Sequence, residues 1–66
     1  QADFQLNFKV QFYLGSYNFF RKHFHTAIVY YQKSLKAARS DEEKKRAEGG
    51  LEACWKVLGI QPEESP

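Results

Sequence analysis

His23 and His25 stand two residues apart, with Phe24 between them. On a strand or in a turn, two imidazoles at that spacing can face one metal ion, but a structural zinc site needs four ligands. No acid or thiol lies near them in the chain, and Cys54 could join them only through folding. The two histidines are therefore read as turn and cap residues, and no metal or other cofactor is expected. Cys54 is the only cysteine, which excludes an intramolecular disulfide and a four-thiolate site. As a nucleophile it would need a basic neighbour to form the thiolate. On an apolar helix face it acts as a small hydrophobe. Glu48 and Glu52 are four residues apart on one helical face, but acid–base carboxylates work in a pocket. Glu52 and Lys56 form an ordinary i, i+4 pair. Gly49-Gly50 lies inside a helical segment and lacks the surroundings of a phosphate loop. No catalytic residue is nominated, and the chain is not expected to be an enzyme.

The cluster Phe19-Phe20-Arg21-Lys22 has another chemistry open to it. Aromatic faces can stack bases while guanidinium and ammonium groups hold phosphate, as in single-strand binders. Aromatics at helical spacing are more commonly core residues. Tyr30, Lys33 and Lys36 read as a solvated face with snorkelling stems. Ten Lys and Arg against eight Asp and Glu leave a net charge of +2, too balanced to indicate nucleic acid. The distribution is less even. Residues 21–39 hold Arg21, Lys22, Lys33, Lys36 and Arg39 with no acid, whereas Glu63 and Glu64 stand near the end. A basic middle can attract an acidic partner, although the ordinary role of such charges is to solvate a helix face.

These side chains must be placed by one small domain, since the chain has 66 residues. A domain of this size buries only about 60% of the surface its unfolded chain exposes. The 42% apolar fraction suits a globular chain, and the 17% aromatic fraction supplies large side chains for a small core. No apolar run approaches the roughly 20 residues needed to span a membrane, and no secretory h-region is visible. The expected compartment is the cytoplasm. Gln1 is not an initiator methionine, so the chain is expected to be a fragment or a processed piece.

The clearest helix covers residues 42–58, where Ala47, Leu51, Cys54 and Leu58 share a face and Trp55 widens it. Ser40 and Glu43 match a capping box, Asp41, Glu42 and Glu43 suit the positive end of the dipole, and Gly59 is a C-terminal stop followed by Pro62. The glycine pair costs roughly 1 kcal/mol per residue in a helix. Its presence indicates a close helix approach or a bend. A second helix covers residues 26–38, with Ala27, Tyr31, Leu35 and Ala38 on one face and Thr26 or His25 as its cap. Residues 39–41 are a short link, so these helices are antiparallel neighbours. Residues 2–22 support two readings. Phe4, Leu6, Phe8, Val10, Phe12 and Leu14 alternate as in a half-buried strand. Yet Val10, Leu14 and Tyr17, and likewise Phe4, Phe8 and Phe12, fit helical faces. Helix from about Phe8 is preferred, because Gly15 then has a packing role and a lone strand has no partner.

Residues 8–41 resemble one tetratricopeptide repeat, a helical hairpin of about 34 residues. Leu14 and Gly15 match the large–small pair of its first helix, and Phe24 the aromatic before the second. Ala27 matches the small residue at the crossing, Tyr31 and Leu35 the inward positions, and Ser34 the second small site. Gln11 and Asn18 stand where the family favours aromatics, Lys22 where it has the turn glycine, and no Pro closes the second helix. Residues 42–58 look like the extra helix that caps such arrays. The resemblance implies an all-α fold, with an antiparallel hairpin and a third helix. It also implies protein recognition, with Gly15 meeting Ala27. Some members grip a partner's C-terminal carboxylate with Lys and Asn where this chain has Phe12 and Ser16, so that mode is not expected.

The expected organisation is a helical domain over residues 1–60 and a tail over residues 61–66. The expected function is a non-catalytic protein-interaction module that binds a helix or peptide in an aromatic groove. Phe12, Ser16, Phe19, Phe20, Arg21 and Lys22 are its candidate residues. The partner is another protein or peptide, an adjacent repeat, or a second copy of the chain. The alternative is a helical module that binds single-stranded nucleic acid.

Overall fold

In the computed structural model, which describes residues 7–60, three helices follow one another: α1 (Phe8–Phe20), α2 (Phe24–Ala37) and α3 (Asp41–Leu58). The described residues contain no strand. The alternation from Phe8 to Leu14 is therefore helical, and its earlier members, Phe4 and Leu6, lie outside the described residues, as does the expected tail. An alternating pattern wound at 3.6 residues per turn puts apolar groups around most of the cylinder. α1 accordingly needs cover on more than one side.

Local chemistry sets the helix ends. Asn7 caps α1, its side-chain oxygen accepting from Val10 N–H at 3.2 Å. α1 ends in a Schellman arrangement: His23 N–H donates to Asn18 C=O at 2.8 Å and Lys22 N–H to Phe19 C=O at 2.9 Å. Lys22 adopts the required left-handed backbone, with φ of 64°. The same motif closes α3, where Ile60 N–H reaches Trp55 C=O at 2.9 Å and Gly59 N–H reaches Lys56 C=O at 3.2 Å. There the left-handed residue is glycine, with φ of 73°.

Ser40 caps α3 by accepting from Glu43 N–H at 3.2 Å. Glu43 answers one residue earlier than a capping box requires, accepting from Arg39 N–H at 2.9 Å. α2 corrects an expectation. It begins at Phe24, so His25 and Thr26 lie in its first turn, and the cap position belongs to His23, which makes no side-chain cap bond.

α2 is the central helix, packed broadly on both neighbours, and α1 touches α3 more lightly. The core joins Ala27 and Tyr31 of α2 to Leu51 and Cys54 of α3, with Phe12, Phe19, Ile28, Leu35 and Trp55 packed around it. Ala47 is also fully buried. The atoms nearest to a Cβ built on Gly15 belong to Tyr31, one turn along α2 from the Ala27 it was expected to meet. A Cβ on Gly15 would stand 2.7 Å from Tyr31 Cδ1, and one on Gly50 2.6 Å from Tyr31 Cε1. One phenol ring thus takes the room that both glycines leave, and it explains half of the glycine pair. Gly49 has nothing within 4 Å of a built Cβ.

Candidate protein-interaction surface

The outer face of α1 is assembled by helical spacing alone. Phe8, Gln11 and Gly15 are buried, and Phe12 and Phe19 pack onto the core. The residues on the opposite side of the helix follow from 100° per residue: Tyr13, Tyr17 and Phe20, at i, i+4 and i+7. They are 66%, 58% and 83% exposed, the largest values among the exposed bulky apolar residues. Leu14 widens the row at 36% exposure, and Val10 is half-buried beside it. Leu14 thus sits at the edge of solvent.

The charges stand at the ends of this row. Lys9 is exposed one turn before Tyr13. Arg21 lies over Tyr17, its guanidinium carbon 5.7 Å from the ring centroid, and its Nη1 donates to the Tyr17 hydroxyl at 3.4 Å. The ring and the hydroxyl therefore hold the guanidinium along the row. Lys22 follows, exposed, on its left-handed backbone.

The six nominated residues separate into two groups. Phe12 stacks on Phe8 with centroids 5.4 Å apart and tilts against Tyr31 at 5.5 Å. Ser16 Oγ lies 3.1 Å from the Tyr31 hydroxyl. Phe19 meets Phe24 edge-on at 5.3 Å. These three are half-buried and engaged within the hairpin. Phe20, Arg21 and Lys22 are exposed at the end of α1. Sequence reasoning missed Tyr13 and Tyr17. Their signal was present: Tyr13 is the one large apolar residue that breaks the Phe8–Leu14 alternation, and it shares a helical face with Tyr17 and Phe20.

The other chemical candidates stay apart. His23 and His25 are exposed, and Cys54 is fully buried in α3. Among the described residues, no group of three His, Cys, Asp or Glu side chains could hold a metal ion. Burial pushes the Cys54 thiol up from its ordinary value, away from the reactive thiolate. Burial likewise raises the Tyr31 phenol, with the Ser16 hydrogen bond opposing and Cys54 reinforcing the shift. Glu48 and Glu52 are both exposed. The ion pair on α3 is Glu42–Arg46 at 3.3 Å, on the surface. No described helix is long and apolar enough to cross a membrane.

Comparison with known protein families, characterised proteins and solved structures returns no match. The likeness to a tetratricopeptide repeat accordingly rests on residues 8–41 of this chain alone, and the architecture established is an all-α bundle of three helices.

Proposed function

We propose that the chain is a non-catalytic protein-interaction module that receives a helix of another protein along the outer face of α1. The observation that carries this reading is the exposed row Tyr13, Tyr17 and Phe20 on a helix whose opposite face is already in the core. Three large aromatics in contact with water forgo burial that each could gain. A contiguous apolar patch on a small domain is the mark of a contact site, and aromatic anchors dominate the energetics of such contacts. Their i, i+4, i+7 spacing is the register of a helix packed against a helix. A hairpin of the tetratricopeptide kind suits this use, because neighbouring helices stack laterally on such units.

Tyr17→Ser and Phe20→Ser test the reading. Both side chains are exposed, so circular dichroism and thermal unfolding should stay close to those of the parent. Binding of amphipathic helical peptides, followed by fluorescence anisotropy, should weaken at least tenfold in each variant. A chain that binds no such peptide, or binds them equally with both substitutions, overturns the proposal. Single-stranded nucleic acid is the competing reading for the same aromatics, and it demands binding that weakens steeply with salt.

A further inference from the structure

We infer that the helix received by α1 is acidic at its flanks and apolar at its centre; this rests on the reading above that α1 receives a helix. Charge in this protein is segregated by element. Residues 7–40, comprising α1, α2 and their turns, carry Lys9, Arg21, Lys22, Lys33, Lys36 and Arg39 and not one Asp or Glu. α3 carries five acids and four bases. Among the described residues the one ion pair joins Arg46 to Glu42, both within α3. None of the six hairpin cations is neutralised by a carboxylate there.

The cations nearest the aromatic row bracket it. Lys9 precedes Tyr13, Arg21 and Lys22 follow Phe20, and the eleven residues from Val10 to Phe20 contain no charge. At 1.5 Å per residue, Lys9 and Arg21 are about 18 Å apart along the axis. A partner helix laid along α1 therefore meets a cation, an apolar stretch of about three turns, and a second cationic cluster. Carboxylates about twelve residues apart on that partner, on either side of an apolar stripe, answer this layout. Arg21 is already held by Tyr17, so its fork of donors is presented with little further loss of rotamer freedom.

The same layout disfavours two other occupants. A second copy packed α1 to α1 would set Lys9, Arg21 and Lys22 of one chain near those of the other, with no acid between Asn7 and Ser40 to offset them. A nucleic-acid strand requires a positive track that follows its phosphates, and the middle of the row supplies none.

The test uses three labelled helical peptides that share one apolar stripe and carry Glu, Gln or Lys at the flanking positions, together with an oligothymidine, titrated against the full chain. The expected order is Glu tightest, Gln at least tenfold weaker and Lys weakest. Raising the salt should narrow the gap between Glu and Gln. The triple variant Lys9→Gln, Arg21→Gln, Lys22→Gln should bind the Glu peptide no better than the Gln peptide, while its thermal unfolding stays close to that of the parent. Equal binding of the Glu and Gln peptides overturns the acidic partner and leaves the helix-binding reading standing. Failure of all three peptides overturns both. Tighter binding of oligothymidine than of any peptide, or a dimer by light scattering that Phe20→Ser dissociates, overturns the inference in favour of nucleic acid or of a second copy.

Discussion

Gly50 makes room for Tyr31: a Cβ built on the glycine would stand 2.6 Å from Cε1 of the ring. The ring is 4% exposed and is met from α1 by Gly15 at the same Cδ1–Cε1 edge, so it cannot easily move away. Gly50→Ala should therefore destabilise the chain by roughly 1–3 kcal/mol, the cost of overpacking. Gly49→Ala, one residue away, meets nothing and should stabilise it by about 0.5–1 kcal/mol through helix propensity. Urea unfolding of the two variants checks the contrast, and equal shifts of the same sign would reject the packing.

Lys22 stands where Gly59 stands in the other Schellman motif. Both are left-handed, at φ of 64° and 73°, but only the lysine carries a Cβ into that region, at about 1–2 kcal/mol. Lys22→Gly removes this strain and adds some freedom to the unfolded chain, worth about 0.5–1 kcal/mol. The expected outcome is a net gain of roughly 0.5–1 kcal/mol. Gly59→Ala should lose about 1 kcal/mol despite the open space around it. Thermal unfolding of both variants measures the pair, and a loss in Lys22→Gly would contradict the account.

Alkaline pH should loosen the fold. Burial holds the Tyr31 phenol and the Cys54 thiol above their ordinary values of 10.0 and 9.0. Between the unfolded and folded values the native chain binds more protons than the unfolded one, so stability falls as pH rises. The contribution is fully present below pH 9.0, declines first through Cys54, and then through Tyr31 above pH 10.0. Cys54→Ala should flatten the lower part of the decline and Tyr31→Phe the upper part, as read from urea midpoints along a pH series. An unchanged pH profile in both variants would rule out this origin.

Ala27 is wholly buried in the core. Ala27→Leu inserts three carbon atoms where no space remains and should cost roughly 1–3 kcal/mol. Thermal unfolding like that of the parent would show that the centre of α2 is not packed against its neighbours.

Local interactions made the architecture legible before any coordinates. Ser40 with Glu43 marks the start of α3, and Gly59 marks its stop. Ala47, Leu51 and Cys54 fall on one face because α3 has a polar side to contrast with its apolar one, and all three are buried. Ala27 and Tyr31 follow the same logic on α2. The third residue buried there is Ser34, whose hydroxyl is satisfied by donating to Tyr31 C=O at 2.7 Å, so hydrophobicity alone did not mark it.

α1 offers no such contrast, because apolar residues surround it. Periodicity then fits several orientations equally, and the choice passes to tertiary packing. The ring of Tyr31 claims the hollow at Gly15, which turns Phe8, Phe12 and Phe19 toward the bundle and sends Tyr13, Tyr17 and Phe20 outward. Residue types and spacing determined three helices, the cap and stop of α3, and a chain richer in aromatic surface than its own core can bury. Which aromatics were buried and which were left to a partner depended on contacts between residues far apart in sequence, since a helix that is apolar on every side turns in the direction its neighbours can best fill.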